Sequence, residues 1–269
     1  MKSSSVISIA ISLLVFMSLQ LIADDHKSDN RVAEFHYFNV NDPAAFVSAM
    51  DTHNASECAE QWQSQSKATV LLSMVTGSDV SHMVYVGYPN YESMELGREL
   101  FASCSETAQM LSSFGDATYV GSYHNVIFEE IISINSDQPQ KHYAKFDIKI
   151  GAGQESAYTE EWLAFMQSQE KHLSESHYGV NRIVFGAGDV SHYVYIGGKS
   201  LTGLMTTMNT VLSSPDYSKF SKSVGNYRNV VQISVERFLL AQSERWLLSK
   251  VYTQNLAVNG FCDLLWVLL

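Results

Sequence analysis

Hydrophobic and polar positions along the chain follow two periods in alternation. Short runs rich in aromatic and β-branched residues, Glu34–Val40 (EFHYFNV), Lys67–Val75 (KATVLLSMV) and His82–Tyr88 (HMVYVGY), read as strands. Between the first two, Phe46, Met50, Cys58 and Trp62 recur on a four-residue spacing, which predicts a helix from Pro43 to Gln63. Asp42 can cap that helix, and proline suits the first helical position. Pro89 opens a second helical stretch, Tyr91–Phe114, with Met94, Leu100, Phe101, Met110 and Leu111 as buried positions. Tyr119–Ile134 closes the series as a strand. The same order then returns: strand His142–Ile150, helix Gln154–Leu173 with Tyr158, Trp162, Phe165 and Met166 on one stripe, strands Tyr178–Phe185 and His192–Ile196, helix Ser200–Ser221, and strand Tyr227–Phe238.

The recurrence extends to residue identity. Gly77–Gly87 (GSDVSHMVYVG) comes back as Ala187–Gly197 (AGDVSHYVYIG), and Val120–Val126 (VGSYHNV) as Val224–Val230 (VGNYRNV). Two echoes in the same order predict a duplicated α+β unit, 34–134 and 142–238, joined by a polar linker at 135–141. A strand–helix–strand–strand–helix–strand unit is the ferredoxin-like split motif, one antiparallel sheet with both helices on the same face. Its other face is left bare, and two such units in one chain can pack those faces together. This arrangement resembles the dimeric α+β barrel superfamily, which includes the cofactor-free antibiotic-biosynthesis-type monooxygenases and the stress-responsive barrel proteins. The halves there are usually separate subunits; the resemblance implies an intrachain pseudo-dimer here, monomeric as a chain.

The ends and the composition add expectations about location and partners. One lysine, an apolar run from Val6 to Ile22 and acidic residues from Asp24 form the layout of a secretory signal. Cleavage after Ala23 and export to the periplasm or beyond are expected, with no stable membrane association afterwards. A retained N-terminal anchor is the alternative, since the run approaches the ~18 residues that can span a bilayer. A net charge of −11 with no basic cluster argues against nucleic-acid binding. Three cysteines are too few and scattered for a disulfide scaffold or a zinc site. Export allows one bridge, Cys58 to Cys104, between the two helices of the first unit; two buried thiols are the alternative. Residues 239–269 have no counterpart in the first unit. Leu239–Val258 predicts an amphipathic helix, and the closing FCDLLWVLL is too short to span a bilayer.

Strand alternation assigns faces to the candidate chemistry. In the fifth strand His142, Ala144, Phe146, Ile148 and Ile150 are expected to meet the helices, leaving Tyr143, Lys145 and Asp147 toward the space between the sheets. Tyr37 and Asn39 join them by position. Val84/Val86 and Val194/Ile196 go to the helices, which sends Tyr85 and Tyr195 to the inter-sheet space, and Tyr123, Asn125, Tyr227 and Asn229 are placed there too. Paired tyrosines Tyr37/Tyr143, Tyr85/Tyr195 and Tyr123/Tyr227 would line a site for a medium-sized apolar or aromatic ligand. That reading requires a cavity above about 300 Å³ between the sheets. The alternative is that the rings simply fill the interface.

Asp79-x-x-His82 and Asp189-x-x-His192 invite an acid/base reading in which aspartate orients histidine, but the spacing equally suits a hairpin turn. His53, His172 and His177 lie on or near the first helices; related barrel families include haem binders with an axial histidine, yet no haem motif is present here. No metal and no cofactor are expected. There is no GxGxxG after a strand, no P-loop, no HExxH and no GxSxG. The expected function is small-molecule binding by an exported protein. The alternatives are a cofactor-independent oxygenase or isomerase using Asn125, Asn229, the tyrosines and His82 or His192, and a non-catalytic structural or interaction module.

Overall fold

The computed structural model describes residues 31–241, with side chains through Leu239. The leader expected over residues 1–23, its expected cleavage point and the chain after Ala241 lie outside that range. Among the described residues no helix is long and apolar enough to cross a membrane. The strands are β1 (Val32–Phe38), β2 (Thr69–Thr76), β3 (His82–Tyr88), β4 (His124–Ile134), β5 (His142–Ile150), β6 (Tyr178–Phe185), β7 (His192–Gly198) and β8 (Arg228–Ala241). They form one closed barrel in the order β1-β3-β2-β8-β5-β7-β6-β4, and every neighbouring pair is antiparallel. The two sheets therefore do more than face each other. Edge strand β2 pairs with β8, and β4 pairs with β6, so neither half keeps an open edge.

Each predicted helix is two. The outer layer holds α1 (Pro43–Asn54) and α2 (Glu57–Ser66), α3 (Tyr91–Ala102) and α4 (Ser105–Ala117), α5 (Glu155–Ser168) and α6 (Glu170–Leu173), and α7 (Leu201–Leu212) and α8 (Pro215–Val224). Local capping chemistry explains two of the breaks. Ser56 Oγ accepts from Ala59 N to start α2, and Ser214 Oγ accepts from Tyr217 N just before Pro215. Cys58 and Cys104 are joined by a disulfide with Cα atoms 6.2 Å apart, tying the start of α2 to the start of α4. Two strand limits also differ from expectation. Gly121, at φ +75°, turns the chain ahead of β4, which begins at His124 rather than Tyr119. Leu239–Ala241, expected in a helix, continue β8, where Leu240 and Ala241 pair with Leu72 and Leu71.

Closure divides the apolar residues into three cores. Phe35, Tyr37, Met83, Phe128, Tyr193 and Tyr195 fill the barrel. Phe46, Met50, Trp62, Val84, Val86 and Phe114 lie between the first half's sheet and its helices. Tyr158, Trp162, Phe165, Met166, Leu204 and Phe220 do the same in the second half. The recurring Asp-Val-Ser-His segment fastens each β-hairpin to its neighbour. Ser81 N donates to Phe38 O at 3.0 Å, while Ser81 Oγ accepts from Val40 N at 2.9 Å. Ser191 makes the matching pair with Ile148 O at 3.0 Å and Ile150 N at 2.9 Å.

The closure has a testable consequence. A fragment of residues 31–134 exposes two strand edges and the inward rings Phe35, Tyr37 and Phe128, so it is expected to elute from size exclusion as a dimer or larger species. A folded, monodisperse monomer would contradict it.

Candidate functional site

The barrel interior does not hold the expected cavity. Phe35 and Phe128, on adjoining strands with centroids 4.5 Å apart, meet Tyr193 of the other half at 5.4 and 5.0 Å. The interior keeps a cavity of about 250 Å³ at each of two places, the two sharing Phe35 and Lys145 in their walls. Tyr37, Tyr85, Tyr143 and Tyr195 belong to this interior. Tyr123 and Tyr227 do not: Tyr123 is 54% exposed outside the barrel, and Tyr227 packs on the second half's outer core. Asn125 lines an outer cavity, and Asn229 is exposed. Both strands run counter to the expected alternation: β4 sends Val126, Phe128 and Glu130 inward, and β8 sends Gln232, Ser234 and Glu236 inward. The pairing Tyr37/Tyr143 is also shifted. Tyr37 sits opposite Met83 as Asp147 sits opposite Tyr193, so Tyr37 matches Asp147.

The larger cavity, about 610 Å³, lies on the other side of the first half's sheet, beneath α1–α4. Phe38, Met50, Val84, Val86, Met110 and Phe114 give it apolar walls. Its polar groups include Glu34 and His36 on β1, His53 on α1, Trp62 on α2, Tyr88 on β3, Arg98 on α3, Tyr123 before β4 and Asn125 on β4. In the second half the matching positions are apolar. Glu34 pairs with Val86 as Ala144 pairs with Ile196, and His36 pairs with Val84 as Phe146 pairs with Val194. Arg98 likewise holds the place, counted from the capping Asn90, that Met208 holds from Ser200. Three polar residues in one half stand beside a cavity, where the matching positions of the other half join the packed core of Phe165, Met166, Leu204 and Met208.

These groups form a connected string. Arg98 Nη2 donates to Glu34 Oε1. His36 Nε2 lies 3.6 Å from Glu34 Oε2, and its Nδ1 is 3.0 Å from the Tyr123 hydroxyl. Burial alone would raise the Glu34 carboxyl, but hydrogen bonds and charge from His36 and Arg98 outweigh it and hold the group below its ordinary 4.5. Tyr88 is pushed up to about 12, first by burial and then by Glu34. The Trp62 indole N–H is buried without a hydrogen-bond partner; Tyr88 lies beside it without the geometry to supply one. An ionised carboxylate, an imidazole and a phenol in series can orient a ligand and pass a proton at its edge.

The remaining candidates are placed elsewhere. His82 Nδ1 bonds Ser81 Oγ at 2.9 Å and His192 Nδ1 bonds Ser191 Oγ at 3.0 Å, both rings being buried. Neither aspartate orients its histidine: Asp79 accepts from Asn39 through its backbone oxygen, and Asp189 pairs with Lys149 at 2.5 Å. His53 Nε2 bonds Thr107 Oγ1 at 3.0 Å in the roof of the outer cavity. His172 is exposed, and His177 bonds Tyr143 and Tyr195 at one mouth of the barrel. His53 lies close to Cys58 and Cys104, but the disulfide occupies both sulfurs.

Glu34 titration gives a direct check. A carboxyl held below its ordinary value contributes stability that is present above that value and lost as pH falls through the folded one. In urea unfolding, wild type is expected to lose its stability margin over Glu34→Gln as pH drops from 4.5 downward. A margin independent of pH would contradict the Glu34–Arg98 pairing.

No protein-family description and no curated protein matches the sequence. Among solved structures, one from Lactobacillus acidophilus described as a "putative monooxygenase" superposes with a TM-score of 0.52 at 9% identity, covering 79% of this chain and 97% of that one. A Fusobacterium nucleatum protein with the same description gives 0.50 at 10% identity, covering 79% and 96%. A Thermus thermophilus protein described as a novel heme-binding protein gives 0.48 at 11% identity, covering 82% and 96%. The expectation that no cofactor is involved is corrected by this last finding, since a protein of similar shape is described as binding heme. At 9–10% identity these likenesses concern the fold alone: the chain has an α+β barrel fold, two ferredoxin-like units closed into one antiparallel barrel.

Proposed function

We propose that the protein binds a flat, largely apolar small molecule in the outer cavity of its first half, with Glu34, His36 and Tyr123 holding or moving a proton at the ligand's edge. One observation carries the reading: an ionised, buried carboxylate string stands where the second half packs Ala144, Phe146 and Met208 into its core, and a cavity of about 610 Å³ lies beside it. A volume in that range is typical of ligand pockets, as are apolar walls with a few convergent polar groups. The Trp62 indole N–H in the wall is a donor left for a ligand acceptor, a hydrogen bond of about 1 kcal/mol. Export, and a monomeric chain whose two halves complete one barrel, belong to the same proposal.

Haem is the planar cofactor to test against the residues present. The cavity suits a planar macrocycle by volume and apolar lining. Its imidazoles do not suit iron: His36 is held by Tyr123 and faces Glu34, and His53 Nε2 is held by Thr107. The lining therefore fits the ring system, while an iron bond through His36 Nε2 or His53 Nε2 would require that nitrogen to leave Glu34 or Thr107. No reaction step is derived through haem.

Titration of the protein with a hydroxylated anthraquinone, followed by tryptophan quenching, tests the site. Trp62→Phe is expected to weaken binding about tenfold, the loss of one hydrogen bond of about 1.4 kcal/mol. Val86→Phe, filling the cavity, is expected to abolish it while the circular dichroism of the fold persists. Binding unchanged by both substitutions would remove the proposed site. Hemin is expected to bind without an imidazole-ligated absorption spectrum, and the spectrum should not respond to His36→Ala or His53→Ala.

A further inference from the structure

The barrel already encloses one ammonium group. Lys145 is 6% exposed, with Nζ 2.5 Å from Asp147 Oδ1 and 5.5, 5.9 and 5.1 Å from the ring centroids of Phe35, Tyr37 and Tyr193. A carboxylate on one side and electron-rich ring faces on the other are what a desolvated cation requires.

The adjoining mouth of the barrel has the same materials without the cation. Its cavity of about 250 Å³ is walled by the rings of Tyr85, Tyr143, Tyr195 and Phe238. Glu236, 4% exposed, lines it, and Glu236 Oε1 is buried with no hydrogen-bond partner. Asn181, also 4% exposed, donates through Nδ2 to Tyr193 at 2.5 Å and leaves Oδ1 unpartnered in the same wall. These are two buried, unpartnered acceptors on residues that line an aromatic enclosure. Arg31, Thr69 and Ser136 at the rim are exposed, so the cavity opens to solvent.

The charges around it are unequal. Glu130, Asp147 and Glu236 supply three carboxylates against the two cations Lys145 and Arg31. His177 does not make up the difference, because burial, with Arg31 second, drives it down to about 4 and keeps it neutral. Burial pushes Glu236 up to about 7 despite Lys145, as fits a buried carboxylate lacking its own counter-ion.

We propose that this mouth of the barrel binds a small organic ammonium, a primary or methylated amine, with Glu236 as counter-ion and Tyr85, Tyr143, Tyr195 and Phe238 as the surrounding cage. The site lies inside the barrel, on the opposite face of the sheet from the outer cavity, and does not depend on what that cavity binds.

Calorimetric titration of the full chain with propylammonium and with 1-propanol tests the charge requirement on the unaltered protein. Propylammonium is expected to bind at least tenfold more tightly than the alcohol. Glu236→Gln keeps the shape and removes the charge; it should weaken propylammonium at least tenfold and leave anthraquinone binding in the outer cavity unchanged. Equal affinity for amine and alcohol, undiminished amine binding by the variant, or a crystal soaked in propylammonium that holds only water in the cavity would each overturn the proposal. The comparison of amine with alcohol decides the matter even where the variant folds poorly.

Discussion

The hydrogen-bonded ladders between β2 and β8 and between β4 and β6 are the constraint on which the rest of the molecule depends. Without them each half is a four-stranded sheet with helices on one face, a bare second face and two unpaired edges. With them the bare faces become the wall of a barrel and must be filled from within. Large rings do this: Phe35, Phe128 and Tyr193 meet at the centre, and little volume is left except at the two mouths. Closure thus sets where a sizeable ligand can go. The space between sheet and helices is not fixed by strand pairing, and there the two halves are free to differ.

They differ by few residues. On β1 the helix-facing positions carry Glu34 and His36 where β5 carries Ala144 and Phe146, and α3 presents Arg98 where α7 presents Met208. A buried carboxylate is tolerated only when charge and hydrogen bonds compensate its desolvation, and Arg98 and His36 provide both. The second half uses the same geometry as plain core. One half holds the scaffold while the other carries polar groups around a cavity, and the disulfide between Cys58 and Cys104 braces the helices over that cavity.

The interior shows a second electrostatic arrangement. Lys145 stays charged in the barrel because Asp147 and three rings replace its water. Aromatic filling and ion pairing are here one device. The rings that close the core also lower the cost of burying a cation, and this links barrel closure to the chemistry of the mouths.

The strands, the order of elements, the antiparallel halves and the inward direction of Tyr37, Tyr85, Tyr143 and Tyr195 were legible in the sequence, because strand periodicity and turn residues act locally. The helix breaks at Ser56 and Pro215 were written there too, as cap chemistry within a longer apolar stripe. A signal for the outer cavity was present as well: Glu34 and His36 stand on the alternate positions of β1 that face the helices, where a carboxylate and an imidazole are out of place. Only the tertiary structure decided the rest. Whether Tyr123 and Asn125 face inward depends on where β4 starts after Gly121, and a shift of one residue exchanges the faces of every side chain. Whether Asp79 and His82 cooperate depends on Ser81, which spends its hydroxyl on Val40 and His82. Which space stays empty depends on how rings from distant strands meet at the centre of a closed barrel, and no local period encodes that.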